Sequence, residues 1–338
     1  MADTVLVTGG AGFIGSHVAD ELIARGLHVV VLDDLSGGFR ENVPEEAEFV
    51  EGSIVDTQLI HELFAKYKFS YVYHLAAYAA EGLSHFIKKF NYENNLIGSI
   101  NLINASVNHA VKCVVFTSSI AVYGQNQLPM TEDMVPVPED SYGIAKLAVE
   151  QDLQASHEMF GLDYVVFRPH NVYGERQNIG DRYRNVVGIF MNQLMQGQPM
   201  TIFGDGEQSR AFSYIQDVAP IIADSPFNSR ALNQVFNVGA ETPHTVNELA
   251  EIVARAMKCE KKITYLDARN EVLHAFSSHQ KLHEVFGDAP KVSLDDGVQR
   301  MAAWAKKVGA KRGKTFEGVE IMKNMPKSWQ EALTESAS

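Results

Sequence analysis

The feature that most constrains this chain is a glycine-rich turn after its first apolar run. Val5 to Val7 is a short β-type run, and the segment from Thr8 to Gly15 reads TGGAGFIG and opens a helical pattern. Glycines at this spacing allow a strand, a tight turn and a helix to pack closely. They also let the turn backbone approach a phosphate group at the positive helix N-terminus. The turn therefore predicts a βαβ unit with an anion-binding end.

The N-terminal half continues this alternation of strand and helix. The further β-type runs lie at 28–32, 71–73, 114–116 and 164–167, and the helical patterns lie at 13–25, 95–108 and 142–160. Such alternation is typical of a parallel sheet with helices on both faces. We therefore predict an α/β fold in which a Rossmann-type doubly wound parallel sheet carries a smaller mixed α/β C-terminal lobe.

The rhythm loosens after about residue 175, where glycines and charged residues interrupt the pattern. We expect residues 1–175 to form the first domain, which includes the helical pattern at 142–160. Residues 176–330 should mainly form the second lobe, with some segments returning to the first domain. A chain of 338 residues with 46% apolar content is long enough for both.

Composition disfavours several classes of function. A formal net charge of −13 argues against a nucleic-acid partner. The two cysteines, Cys113 and Cys259, lack zinc-site spacing and the histidines are scattered, so we predict no metal site and no disulfide framework. No apolar run approaches the roughly 18 residues that a membrane span needs. We therefore expect no membrane insertion and a cytoplasmic location.

An acidic residue at the end of the second strand supports a dinucleotide-binding role for the glycine turn. Asp33 follows Gly15 by 18 residues, where a carboxylate can accept hydrogen bonds from an adenosine ribose. The same carboxylate would repel the 2′-phosphate of NADP, so we predict NAD as the cofactor. Asp34 is either a second ribose contact or a solvated side chain, and a tight turn without any ligand is the alternative for the whole segment.

A tyrosine and a lysine form the candidate catalytic pair. Tyr142 and Lys146 are four residues apart, so on a helix they lie on one face. A neighbouring ammonium group, helped by the positive charge of an oxidised nicotinamide, stabilises a phenolate and lowers a tyrosine pKa that starts near 10, which would make Tyr142 a general base. Ser119 follows a predicted strand, at the edge where doubly wound sheets bind ligands. The alternative is an ordinary helix face with a packed tyrosine and a solvated lysine.

Taken together, these motifs resemble the extended short-chain dehydrogenase/reductase superfamily, in its NAD-dependent nucleotide-sugar epimerase and dehydratase branch. The resemblance covers nearly the whole chain and is closest to UDP-glucose 4-epimerases. The segments that carry it are Thr8–Gly15, His74–Ala77, Asn94–Ser99, Ser118–Gly124, Tyr142–Lys146, Arg168–Gly174 and Arg210–Val218.

The resemblance implies roles for individual residues. The implied catalytic residues are Ser119, Tyr142 and Lys146. The implied cofactor contacts are Gly9, Gly12, Phe13, Ile14, Gly15, Asp33, Asp34, Ser36, Ile54, Leu75, Ala76, Ala77, Asn95, Tyr142, Lys146 and His170. The implied contacts of a nucleotide-sugar substrate are Glu81, Ser119, Asn171, Arg210 and Arg269. Members of the family commonly form homodimers through two helices of each subunit, here near 91–108 and 142–160.

The two residues after Ser119 distinguish the chemistries within the branch. Dehydratases carry an acid and a base there, whereas this chain has Ile120 and Ala121. The resemblance therefore favours a 4-epimerase, which needs only hydride removal, rotation of the ketone and hydride return. Two unusual residues, Glu81 and His170, leave 3,5-epimerisation, net reduction or a dehydratase-like reaction as alternatives. A non-catalytic NAD-binding sensor is the alternative from another class.

Overall fold

In the computed structural model, the described residues are 3–336 except 126, 269–271, 290, 313–315 and 317. The strands are β1 (Thr4–Thr8), β2 (His28–Asp33), β3 (Glu48–Glu51), β4 (Tyr71–His74), β5 (Cys113–Thr117), β6 (Asp163–Pro169), β7 (Val172–Tyr173), β8 (Met200–Phe203), β9 (Ser209–Ala211), β10 (Ser213–Tyr214), β11 (Gln234–Val238), β12 (Pro243–Thr245), β13 (Ile263–Leu266) and β14 (His274–Ala275). The α-helices are α1 (Phe13–Ala24), α2 (Thr57–Tyr67), α3 (Glu81–Ser84), α4 (Lys88–Tyr92), α5 (Gly98–Asn108), α6 (Ser141–Phe160), α7 (Val186–Met195), α8 (Ala219–Asp224), α9 (Val246–Met257), α10 (Gln280–Phe286), α11 (Leu294–Val308) and α12 (Lys327–Ser336).

Seven strands form one parallel sheet in the order β11-β6-β5-β4-β1-β2-β3. The order reverses at β1, which pairs with β2 on one side and with β4 on the other. This arrangement confirms the predicted Rossmann-type fold. In such sheets the carboxyl ends of the strands beside the reversal form a crevice that binds ligands.

Alternate residues of each central strand enter two separate cores. In β1, Val5 and Val7 belong to one apolar cluster, whereas Leu6 belongs to the cluster on the opposite face of the sheet. Val30 and Val31 of β2 divide in the same way. Because side chains alternate along a strand, near-continuous runs of valine and leucine are buried on both faces only when helices cover both faces.

The C-terminal part of the chain shares the first of these cores. β11 pairs with β6 and completes the large sheet, and α8 packs against α1. β9 lies between β12 and β14 in a small three-stranded sheet, and α9 packs between α7 and α11. Segments far along the chain therefore complete the large sheet and share one of its cores.

No helix among the described residues is both long and apolar enough to cross a membrane. Within the same residues, three or more His, Cys, Asp or Glu side chains do not converge in a way that could hold a metal ion.

Candidate active site

A cleft of about 560 Å³ lies at the carboxyl ends of β1, β4 and β5, beside the point where the strand order reverses. Its volume is within the range of small-molecule and cofactor pockets. The predicted site residues that line it are Gly9, Gly12, Phe13, Ile14, Gly15, Asp33, Asp34, Ser36, Ile54, Leu75, Ala76, Ala77, Glu81, Ser119, Tyr142, Lys146, Asn171 and Arg210. The fold therefore gathers on one cleft residues that are far apart in the sequence.

The glycine turn forms one end of this cleft by bringing backbones unusually close. Gly9 has a φ of +72°, and a Cβ at this position would lie 2.7 Å from the Ala76 nitrogen and Cα. A Cβ at Gly15 would lie 2.2 Å from the Gly9 carbonyl oxygen. Gly12 precedes α1 without a side-chain cap, so the first N–H groups of the helix are free of capping side chains. The turn has the geometry that a diphosphate requires.

Asp33 lies beside the turn at the end of β2 and is largely buried. Its carboxylate accepts hydrogen bonds from the Ala11 nitrogen at 3.0 Å and the Leu35 nitrogen at 2.8 Å. Burial raises the pKa of Asp33, and backbone hydrogen bonds from Leu35, Ala11 and Gly12 oppose that rise. A carboxylate can accept about four hydrogen bonds, so further acceptor positions suit ribose hydroxyls.

Replacing Asp33 with asparagine is expected to weaken NAD binding by about tenfold, because an amide NH₂ cannot accept the bonds that both carboxylate oxygens accept. The neighbouring Asp34 is exposed and accepts a local hydrogen bond from the Ser36 nitrogen at 2.9 Å. Because Asp34 also lines the cleft, the control is Glu46→Gln, at an exposed carboxylate outside the cleft lining. Calorimetric titration of NAD into both variants measures the effect. Equal affinities of the two variants would contradict the role of Asp33.

The candidate general base lies in the first turn of α6. The Asp140 carboxylate caps this helix by accepting a hydrogen bond from the Gly143 nitrogen at 2.8 Å, which places Tyr142 at the cleft. Ser119 follows β5, and its hydroxyl accepts a hydrogen bond from the Ala121 nitrogen at 3.1 Å. The Ser119 side chain lies close enough to Tyr142 to lower the pKa of its hydroxyl. The predicted serine and tyrosine therefore meet at the cleft wall.

Lys146 lies one turn farther along α6 and is almost fully buried. Its Nζ donates a hydrogen bond to the Thr117 carbonyl at 2.8 Å and lies 4.6 Å from the centroid of the Phe116 ring. The distance from Nζ to the Tyr142 ring centroid is 5.7 Å. The lysine is therefore fixed beside the tyrosine by the end of β5.

Burial works against the ionisation of Tyr142. We expect Lys146 and the positive charge of an oxidised nicotinamide to lower the pKa of Tyr142. Within the chain itself, burial raises this pKa, and the Ser119 side chain only partly opposes the rise. Burial also lowers the pKa of Lys146 to about 7, against the attraction of the Glu150 carboxylate. The cost of removing both groups from water outweighs their proximity. The phenolate therefore needs further positive charge at the cleft.

Asn95 does not line the cleft, although we expected it to contact the dinucleotide. Its Oδ1 accepts a hydrogen bond from the Tyr78 nitrogen at 2.8 Å, and its Nδ2 donates to the Tyr78 carbonyl at 3.1 Å and to the Asn91 Oδ1 at 2.8 Å. The amide is thus engaged behind the wall, where it fixes the loop that carries Tyr78.

His170, an expected cofactor contact, also lies behind the cleft wall. It is buried, and its ring nitrogens contact the Ala211 carbonyl at 3.0 Å and the Nε2 of His279 at 3.1 Å. Burial lowers the pKa of His170 to about 4. Position and protonation state together make His170 a packing residue beneath the Asn171 segment.

This burial predicts an acid-sensitive fold. The folded-state pKa of His170, about 4, lies below the ordinary value of 6.5, so the unfolded chain binds the proton first as the pH falls. The stability contributed by neutral His170 is present above pH 6.5 and is lost towards pH 4, by about 3 kcal/mol. His170→Phe should flatten this part of the stability curve, measured by urea unfolding between pH 4 and pH 7.5. His61→Gln, which changes an exposed histidine, should leave the curve unchanged.

Of the residues implied for the substrate, Asn171 and Arg210 line the cleft. The Arg210 guanidinium donates hydrogen bonds to the carbonyls of Ser209 at 2.9 Å and Leu273 at 2.8 Å, and also to that of Val272. Arg210 therefore joins β9 to the segment before β14. Arg269 lies outside the described residues.

Arg184 also lines the cleft but was not identified as a site residue from the sequence. Its Nε donates a hydrogen bond to the Asp181 carboxylate at 2.7 Å. Its guanidinium lies 4.9 Å from the centroid of the Tyr78 ring. The positive charge of Arg184 opposes the rise in the pKa of Tyr142. Only the charge-rich stretch at 181–184 hinted at such a residue.

Comparison with known proteins agrees with this geometry. The model of the NAD dependent epimerase/dehydratase family matches residues 5–239. A putative UDP-glucose 4-epimerase from Methanocaldococcus jannaschii is 34% identical over 307 residues, which are 89% of this chain and 98% of that protein.

Two solved structures are similar over most of their length. One is a UDP-glucose 4-epimerase with UDP-glucose from Thermotoga maritima, with a TM-score of 0.86, 36% identity, and coverage of 90% of this chain and 99% of that one. The other is a UDP-glucuronic acid 4-epimerase from Bacillus cereus in complex with UDP-glucuronic acid and NAD, with a TM-score of 0.83, 26% identity and the same coverage. The glycine turn, the acidic strand end and the Ser/Tyr/Lys set thus have a common explanation: this chain belongs to the NAD dependent epimerase/dehydratase family.

Proposed function

We propose that the protein is a nucleotide-sugar 4-epimerase that acts on a UDP-hexose or a UDP-hexuronate, with NAD tightly bound. The observation that carries this proposal is the meeting of Ser119, Tyr142 and Lys146 at a cleft suited to a dinucleotide. Ile120 and Ala121 also line this cleft and bring no acid or base. The similar proteins compared above are named 4-epimerases, which supports the same reaction.

The chain's own residues would handle the proton. Tyr142 accepts the proton of the sugar 4-hydroxyl and returns it after the ketone has turned over. Ser119 hydrogen-bonds to the same oxygen, within reach of the tyrosine. Because burial raises the pKa of Tyr142, the positive charges of Lys146 and Arg184 are needed to stabilise the phenolate.

The cofactor would be held at the glycine turn. The first turn of α1 faces the diphosphate, and Asp33 accepts hydrogen bonds from the adenosine ribose. When bound, NAD supplies a hydride acceptor and donor, so a full cycle has no net redox change.

The test is NMR of the purified protein in D₂O without added cofactor. UDP-glucose, UDP-glucuronate, UDP-N-acetylglucosamine and GDP-mannose are incubated in separate tubes. The expected result is the 4-epimer of one UDP-sugar with no deuterium in the sugar, because the hydride returns to the carbon it left. Deuterium at C3 or C5, or loss of water, would contradict 4-epimerisation. Glu81, which lines the cleft, would then be the acid or base to examine.

We further propose a homodimer formed by α6 and the helical segment at residues 91–108. Four large apolar side chains on these segments are exposed, namely Ile97 at 50%, Ile144 at 43%, Met159 at 74% and Phe160 at 65%. Exposed apolar side chains of this kind suit helix packing between two copies.

Ile97→Glu is expected to convert the dimer to a monomer, because a charge would be buried without a partner at the interface. Sedimentation velocity measures the mass. Val135→Glu, at another exposed apolar side chain, is the matched control and should remain dimeric. A wild-type protein that sediments as a monomer at micromolar concentration would rule the dimer out.

A further inference from the structure

The last part of the chain packs on the cleft wall from behind. We call Phe316 and residues 318–336 the C-terminal strap. Its side chains Phe316, Met325 and Trp329 join an apolar cluster with residues that follow β4. Met325 and Trp329 are buried, although α12 itself has a mainly polar sequence. The strap therefore packs against the cleft-wall segments that carry Tyr78 and Tyr183.

One end of the strap supports the loop that carries Tyr78. The ring centroid of Phe316 lies 5.3 Å from that of Tyr78 and 4.9 Å from that of Phe90. The Glu320 carboxylate accepts hydrogen bonds from the Lys89 nitrogen at 2.8 Å and the Phe90 nitrogen at 2.9 Å. Glu320 thereby caps the start of α4, where it satisfies two backbone donors.

The other end supports the segment that carries Arg184. The Trp329 ring packs edge-on against Tyr183, with 5.1 Å between centroids. A Cβ added at Gly82 would lie 3.5 Å from the Trp329 ring, so the indole also touches the start of α3. Tyr183 and Gly82 both line the cleft. Trp329 therefore joins two cleft-wall segments that are about a hundred residues apart in the chain.

These contacts close a ring of packed side chains around one part of the wall. Phe316 contacts Tyr78, the Tyr78 ring lies under the Arg184 guanidinium, and the neighbouring Tyr183 contacts Trp329. The strap therefore contacts Tyr78 through Phe316, and it contacts the residue next to Arg184 through Trp329. Tyr78 and Arg184 both lie near Tyr142, where the sugar would react.

We propose that Trp329, in the C-terminal strap, is a positioning residue that selects the sugar by holding Tyr78 and Arg184 at the cleft wall. This inference rests on the proposed function, because it assumes that a nucleotide sugar occupies the cleft beside Tyr142. The cofactor end, at the glycine turn, has no contact with Trp329 among the described residues.

The experiment compares Trp329→Ala and Trp329→Phe with Met322→Ala, which changes an exposed side chain of the same strap. For each protein we would measure the NAD content, the kcat and KM with UDP-glucose and with UDP-glucuronate, and the binding of both sugars by calorimetry. Trp329→Ala should raise KM about tenfold and change the ratio of kcat/KM between the two sugars, since small misplacements in a site are costly. NAD content should not change, kcat should stay within about twofold, and Trp329→Phe should restore part of the loss.

A Trp329→Ala protein that is folded and NAD-loaded, with the same KM and sugar ratio as Met322→Ala, would overturn the proposal. So would a loss of thermal stability with KM unchanged, which indicates a purely structural tryptophan. If Trp329→Ala does not yield folded protein, Glu320→Ala is the second variant, because it removes the exposed carboxylate that holds the strap to α4. It should raise KM about threefold. An unchanged KM would overturn the proposal.

The calorimetric binding measurements test the role of Trp329 independently of the epimerase activity. If the wild-type protein binds a UDP-sugar but does not turn it over, the epimerase proposal fails, and weaker binding by Trp329→Ala still supports the strap. If the wild-type protein binds neither sugar, both proposals fail.

Discussion

Tyr142→Phe is expected to lower kcat by about three orders of magnitude, because the hydroxyl that exchanges the sugar's proton is lost while the ring remains. The Tyr142 ring is buried in the first turn of α6, so phenylalanine preserves the packing. Binding of NAD and of the UDP-sugar should change by less than about threefold, since the loss falls on the chemical step. Steady-state kinetics with the sugar identified by NMR, together with the NAD content of the purified protein, measure both quantities.

Tyr73→Phe is the matched control for this loss. Tyr73 is fully buried in β4, and its hydroxyl donates a hydrogen bond to the Ala223 carbonyl at 2.8 Å, away from the cleft. Its replacement should cost about 1 kcal/mol of stability and leave kcat unchanged. A Tyr142→Phe protein with more than a tenth of the wild-type kcat would remove Tyr142 as the base.

Gly15→Ala is expected to abolish retention of NAD through purification and to weaken its binding by more than about a hundredfold. A Cβ at Gly15 would lie 2.2 Å from the Gly9 carbonyl oxygen and 2.9 Å from the Gly10 Cα. Both neighbours are backbone atoms, so the strain can be relieved only by moving α1 away from the turn. That movement displaces the N–H groups that bind the diphosphate.

The ratio of absorbance at 260 and 280 nm, and calorimetric titration of NAD, report the effect of Gly15→Ala. Glu21→Ala changes the same helix outside the cleft and should retain the cofactor. If Gly15→Ala purifies with as much NAD as Glu21→Ala, the turn is not the diphosphate site.

The sheet and the cofactor end could be predicted because their signals are local in sequence. Alternating strands and helices, the glycine turn and the acid at Asp33 each follow from short-range geometry. Tyr142 and Lys146 were also local, since residues four apart share a helix face. Their location on the cleft with Ser119 required only the rule that strand carboxyl ends meet at one edge.

The side chains of Asn95 and His170 show what a sequence motif does not determine. Asn95 and His170 belong to motifs of the family, yet their side chains point to Tyr78 and to His279 rather than to the cleft. A motif fixes the residue type but not the direction of its side chain, which depends on the partners that packing supplies. The raised pKa of Tyr142 has the same origin, because burial is a property of the assembled site.

The sequence by itself determined the fold class, the family and the Ser/Tyr/Lys set, since these follow from residue types at short spacings. Only the tertiary structure revealed that Arg184 faces Tyr78 and that Trp329 packs on the segment that carries Arg184. These residues are separated by a hundred residues or more, and no period or spacing in the chain connects them. Their contacts arise when the whole chain packs, because apolar side chains such as Trp329 gain stability from whichever surface the fold brings to them.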